Sequence, residues 1–312
     1  RGVYRWRDGR WTAYSRGDRG DGIVSSPGLC GDQVWSIAAA PDAVWVACAA
    51  RQGEDGLGVS RFDRASERWR AIGVPDGLPT GIVTAIAARP GGAFLGTDEP
   101  TTRHGGGIGV VPLRADAAGH TVGPVLDTAA GGLAPPANET TALAFDPEGR
   151  LWVGTRGAGL GRWDPADGRW RRWTVASTGG GLAGDAIADL RVVGDALWVA
   201  STQSRRAAAG EADGGLTVID RADGTVRRTI RPSEGGLPSA QPSSLAVAAD
   251  GRIIVGFGSA VGGVGVDVHR GVGAAAYDPV GNGWTTWRRG EAGLGGDTVL
   301  DLAAGDGVVW AA

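Results

Sequence analysis

The sequence predicts an all-β fold, a β-propeller of six blades with four antiparallel strands each, on three observations. A Gly-Leu marker recurs at intervals of about 49 to 57 residues. The same strand–turn–strand sequel follows every marker. No segment carries a convincing 3.6-residue helical period.

The markers are Gly28-Leu29, Gly77-Leu78, Gly132-Leu133, Gly181-Leu182, Gly236-Leu237 and Gly293-Leu294. After each comes a short apolar strand, expected at Val34–Ala39, Val83–Ala88, Thr140–Phe145, Ile187–Val192, Ser243–Val247 and Val299–Ala303. Turn formers follow, among them Pro41-Asp42, Pro90-Gly91-Gly92, Asp146-Pro147-Glu148-Gly149 and Asp250-Gly251, whose side chains and rings favour tight reversals. A second strand comes next, three of whose copies read Val44-Trp45-Val46, Leu151-Trp152-Val153 and Leu197-Trp198-Val199. A Gly-rich connection then leads to a third strand such as Val59–Asp63 or Leu160–Trp163, and a polar hairpin to a fourth holding Trp69, Trp170 or Trp284.

The blades fall at about 28–76, 77–131, 132–180, 181–235 and 236–292 within one domain spanning 1–312. Residues 293–312 supply only two strands, and Gly2–Asp8 with Gly9–Tyr14 read as a third and fourth. The economical arrangement is a composite last blade, 293–312 plus 1–27, which removes two open sheet edges.

Composition narrows the function. Lys+Arg 31 against Asp+Glu 34 leaves a net charge of -3, so no global basic field exists to hold nucleic acid. Every basic residue is Arg. Gly numbers 57 of 312 without a three-residue period, which excludes collagen, and 13 Trp argue for a packed core. No apolar run reaches the roughly 18 residues of a membrane helix, so this segment is not expected to insert in a bilayer. The three His (His104, His120, His269) form no catalytic or metal-binding spacing, and the expectation leans against an enzyme.

The best-formed repeat, Gly132–Asp164, GLAPPANETTALAFDPEGRLWVGTRGAGLGRWD, resembles the two-component regulator propeller repeat. That repeat runs Gly-Leu-Pro, a Val-x-x-Ile strand, Leu-Trp-Val-Gly-Thr and a Gly-Gly-Leu strand. Residues 77–97, GLPTGIVTAIAARPGGAFLGT, match its first half. The resemblance implies an extracytoplasmic, periplasmic or secreted, bacterial sensor domain that recognises carbohydrate or another ligand. It identifies architecture better than function.

In a propeller the first strand of each blade lines the channel, and the connections between second and third strands gather at one end. Here those connections are long and varied, whereas the turns between first and second strands are short. Irregular loops on a rigid scaffold carry function. They hold Arg51, Glu54, Arg103, His104, Arg156, Arg205, Arg206, His269 and Arg270. Arg forks suit carboxylate, sulfate and phosphate, so an anionic small ligand, a carbohydrate or a partner protein is expected there.

Asp32, Asp185 and Asp297 share one repeat position, with Glu139 near it in a fourth blade. Two readings stand. As a ring of oxygens they would hold Ca²⁺, and with an activated water they define the alternative, a metal-dependent hydrolase or lactonase. As turn residues they accept backbone N–H groups and no cofactor is needed, which is the favoured reading. A structural assembly module is the remaining alternative. Trp45, Trp152, Trp198 and Trp310 are expected to pack between blades, and one of each pair Trp170/Trp173 and Trp284/Trp287 to stand at the outer rim. Cys30 and Cys48 approach the same end of one blade, so a disulfide is open to them, although regular antiparallel pairing sets Cys48 nearer Trp35.

Overall fold

The computed structural model describes residues 3–7, 10–16, 24–25, 28–48, 57–98, 109–115, 119–126, 139–202, 214–232, 237–258, 272–290, 294, 296–305 and 308–311. Among them the regular elements are strands and one short 3₁₀ turn, Val74–Asp76.

Two strands open the chain, β1 (Val3–Arg7) and β2 (Arg10–Ser15), and β3 (Val24–Ser25) adds to β2 in parallel. The first complete blade is β4 (Val34–Ala39), β5 (Ala43–Cys48), β6 (Val59–Asp63) and β7 (Arg68–Ile72). The second is β8 (Val83–Arg89), β9 (Gly92–Thr97), β10 (Val110–Ala115) and the short β11 (His120–Val122). The third is β12 (Thr140–Phe145), β13 (Leu151–Thr155), β14 (Leu160–Trp163) and β15 (Trp170–Trp173). Next come β16 (Ala186–Val193), β17 (Ala196–Thr202), β18 (Gly215–Asp220) and β19 (Val226–Ile230). The fifth is β20 (Pro242–Val247), β21 (Ile253–Phe257), β22 (Ala274–Asp278) and β23 (Gly283–Trp287). The chain ends on β24 (Leu302–Gly305) paired with β25 (Val308–Ala311). Each complete blade is an antiparallel meander, since strands consecutive in the chain are neighbours in the sheet.

The expected strands are found within a residue or two except at the end. Val299–Ala303 was the expected last first strand, but the strand begins at Leu302. Val299 is buried at 1% exposure and its N–H bonds the carbonyl of Phe257, so it joins the preceding blade instead of its own.

A bulge interrupts four first strands at one repeat position: between Val34 and Ser36, Val83 and Ala85, Ile187 and Asp189, and Pro242 and Ser244. One extra residue there re-aims a side chain. Thr84 uses it to donate to the carbonyl of Thr140 at 2.6 Å, linking one first strand to the next. Third strands begin on glycines for a steric reason. Gly58, Gly159 and Gly273 have φ of 78, 87 and 88°, and a Cβ would lie 2.3, 2.3 and 1.9 Å from the carbonyl oxygens of Ile72, Trp173 and Trp287.

The chain divides into two compact units, residues 1–130 with 134–143, and 131–133 with 144–312. In the first, the second-strand Trp45 is fully buried among Ile72, Leu78, Val83, Leu95 and Leu113, which seals the first complete blade against the second. A further cluster packs Val3 and Tyr14 of β1 and β2 onto Leu29, Val46 and Phe62. In the second unit Trp198, Leu216, Leu245, Val255 and Tyr277 join the fourth and fifth blades. Trp152 is fully buried as well. Trp310 has its side chain outside the described residues. The rim expectation is corrected, since no tryptophan of either pair is exposed and Trp170 is half-buried. Trp173 is buried, donating its indole N–H to Gly224 O at 2.7 Å. Trp284 and Trp287 are half-buried because alternate side chains of β23 enter different clusters.

Candidate ligand-recognition face

The two kinds of connection differ in length as the sequence leads one to expect in four of the five complete blades; in the third, the second-to-third connection is the shorter. Turns between first and second strands span 40–42, 90–91, 146–150, 194–195 and 248–252; connections between second and third strands span 49–58, 98–109, 156–159, 203–214 and 258–273. Arg51, Glu54, Arg103, His104, Arg205, Arg206, His269 and Arg270 lie outside the described residues. Arg156 is described and half-buried. Its connection is closed by Thr155, whose Oγ1 donates to Gly159 O at 2.7 Å and accepts from Ala158 N at 3.0 Å.

The base of this end is anchored. Cys30 and Cys48 form a disulfide with their Cα atoms 5.8 Å apart. The bulge makes it reachable: Cys48 pairs with Val34, and Trp35 is the extra residue left out of the ladder. Cys30 N donates to Ser60 Oγ at 2.6 Å, and Ala183 N donates to Thr217 Oγ1 at 2.9 Å in the equivalent place, so marker loops are held onto third strands.

The repeated carboxylates each take a backbone N–H. Asp32 accepts from Arg16 at 2.8 Å, Asp185 from Val175 at 2.8 Å and Asp297 from Arg289 at 2.6 Å. The donors follow β2, β15 and β23, and the acceptors lie in the segments that lead into β4, β16 and β24. Gly159 N and Gly273 N also donate to the backbone carbonyls of Asp185 and Asp297, at 2.9 and 2.8 Å. Glu139 is buried at 4% exposure. Among the described residues no three His, Cys, Asp or Glu side chains gather to hold a metal ion.

Further along β16, Asp189 is half-buried and held by Arg191 at 2.9 Å and by Leu245 N at 2.8 Å. Burial pushes its carboxyl above the usual value of 3.8, against the pull of Arg191 and of the N–H groups of Leu245 and Leu190. Asp63 is the opposite case. The N–H of Ser66, then Arg61 and the Ser66 hydroxyl, hold it down at about 2.

Sequence reasoning missed two exposed tryptophans, Trp11 and Trp35, at 63% and 64% exposure, and Ile37 beside the latter at 55%. A bulge decides which way Trp35 faces, and no local signal announces it.

Repeated four-stranded antiparallel blades of this kind define a β-propeller-type fold. The family model described as the two component regulator propeller matches residues 135–157, within the third complete blade. No curated protein matches the chain. Among solved structures it is similar to the extracellular domain of a hybrid two-component system of B. thetaiotaomicron, at 14% identity and a TM-score of 0.66 over 99% of this chain and 36% of that one. The extracellular domain of a one-component system of the same organism gives 13% identity and a TM-score of 0.60, covering 99% of this chain and 34% of that one. PorZ, a surface component of the type-IX secretion system of Porphyromonas gingivalis, gives 17% and 0.62, covering 97% and 41%. The chain thus spans less than half the length of each. Among the described residues no helix is long and apolar enough to cross a membrane.

Proposed function

We propose that the chain is a non-catalytic recognition propeller, an extracytoplasmic sensor or binding domain whose ligand meets the end formed by the second-to-third-strand connections. The observation that carries this reading is the asymmetry of the connections: in four of the five complete blades those between second and third strands run to ten or more residues of unlike sequence, each holding Arg, whereas the turns between first and second strands run to five at most. Two of the similar structures are extracellular domains of signalling systems, which supports the sensor class. The buried Cys30–Cys48 disulfide supports an oxidising compartment. The ligand class is a carbohydrate, an anionic small molecule or a partner protein.

The same reading closes the repeat, with 293–312 and 1–27 completing a sixth blade. Its support is the Arg16–Asp32 bond, which treats β2 as the fourth strand of a blade just as Val175–Asp185 treats β15.

Glycan and small-anion arrays, followed by calorimetry on any hit, test the face. Replacing Arg103, His104, Arg205 and Arg206 together by Ala abolishes the binding while leaving the thermal transition in place. Binding that survives this change puts the site elsewhere.

A further inference from the structure

The strand pair β1–β2 is held to the first complete blade through groups that converge on the disulfide. Within its own sheet this hairpin gains only the two-residue β3, and so small a sheet is marginal in water by itself, so its docking decides whether it is ordered. One face of the pair, Val3 and Tyr14, enters a cluster with Leu29, Cys30, Val46, Cys48 and Phe62. The Tyr14 ring lies 5.9 Å from that of Phe62 and 5.7 Å from that of Trp69. Directly after β2, Arg16 gives its backbone N–H to Asp32 and its guanidinium to Cys30 O at 3.2 Å. Between those two acceptors sits Gly31, where a Cβ would lie 3.4 Å from Cys48 Cβ. The loop that receives Arg16 is therefore pressed onto the disulfide. The other polar ties, Arg5 and Arg7 to Glu67 at 2.9 and 2.8 Å, are largely exposed and contribute little.

We propose that the Cys30–Cys48 disulfide is an oxidation-dependent lock that fixes β1–β2 onto the β4–β7 blade. Closing it takes two electrons and two protons from the two thiols and passes them by thiol–disulfide exchange to a disulfide oxidant; a dithiol reductant reverses the exchange. With the bond open, the 28–33 loop can leave β5, and Arg16 loses both of its acceptors at once. Both cysteines are buried, at 4% and 1% exposure, so reduction waits on local opening and the lock is set during folding.

Hydrogen exchange read by mass spectrometry tests this on three samples of the whole chain: oxidised protein, folded protein sampled during dithiothreitol reduction, and the Cys30→Ala/Cys48→Ala variant. The expected result is exchange faster by about tenfold or more over residues 3–15 when the bond is absent, with β16–β23 unchanged. Unchanged protection of β1–β2 overturns the proposal. So does loss spread evenly over all strands, which would make the bond a general stabiliser. Where the double variant does not fold, the timed reduction of wild type carries the comparison.

Discussion

Arg16 N–H meets the Asp32 carboxylate at 2.8 Å, and the bond joins the end of β2 to the segment that leads into β4. Val175 with Asp185 and Arg289 with Asp297 repeat it. A carboxylate so used is a cap for the chain crossing from blade to blade. Asp185→Ala should lower stability by about 1–3 kcal/mol, the cost of leaving a backbone N–H without its acceptor, while Asp185→Asn keeps an acceptor and loses less. Urea unfolding of both variants, with and without Ca²⁺, checks this. A Ca²⁺-dependent gain in wild type that Asp185→Ala abolishes would return these residues to metal binding.

The contact of Trp173 with Gly224 makes a second, steric prediction. Gly224 has φ of 83°, and a Cβ there would lie 2.3 Å from Trp173 Cζ2. Gly224→Ala meets both an unfavourable backbone and a buried ring. We expect a loss of more than about 1 kcal/mol, larger than for Gly251→Ala, which has φ of 85° and open space around it. The difference between the two melting temperatures isolates the clash from the backbone strain.

Asp63 and Asp189 should pull stability in opposite directions with pH. Asp63 is held at about 2 when folded, below its ordinary 3.8, so its contribution is present above that ordinary value and is lost as pH falls toward 2. Asp189 is raised, so its contribution is greatest below 3.8 and is lost as pH rises through its folded value. Chemical denaturation from pH 2 to 7 should therefore show less acid loss in Asp63→Asn than in wild type. In Asp189→Asn the decline of stability with rising pH just above 3.8 should flatten. Parallel curves for wild type and Asp189→Asn would mean that burial does not govern that carboxyl.

Much of the fold was legible because its signals are local. Alternating apolar residues and turn formers mark strands such as Val34–Ala39 and Thr140–Phe145 to the residue. What depends on a neighbouring blade was not. Val299 reads as strand in its own segment but bonds Phe257, and Trp173, Trp284 and Trp287 pack against parts of the chain far away in sequence. The disulfide was undecidable for the same reason. Regular pairing opposes Cys48 to Trp35, and only the bulge brings Val34 opposite instead. Of the nine loop residues expected to bind ligand, Arg156 alone falls among the described residues.

The bulge itself can be tested through two tryptophans that lie ten positions apart in sequence. Trp45 is fully buried between two blades, whereas Trp35, the extra residue of β4, is 64% exposed. Trp45→Ala removes a large side chain from a packed interior and should cost about 3–5 kcal/mol. Trp35→Ala removes a largely solvated one and should change stability by no more than about 0.5 kcal/mol. Tryptophan emission adds an independent readout, because the exposed ring emits to the red and is quenched by iodide. Trp35→Ala should remove an iodide-accessible fraction that Trp45→Phe leaves untouched. If Trp35→Ala proves as damaging as Trp45→Ala, β4 pairs without its bulge, and the register that brings Cys48 opposite Val34 and within reach of Cys30 is lost with it.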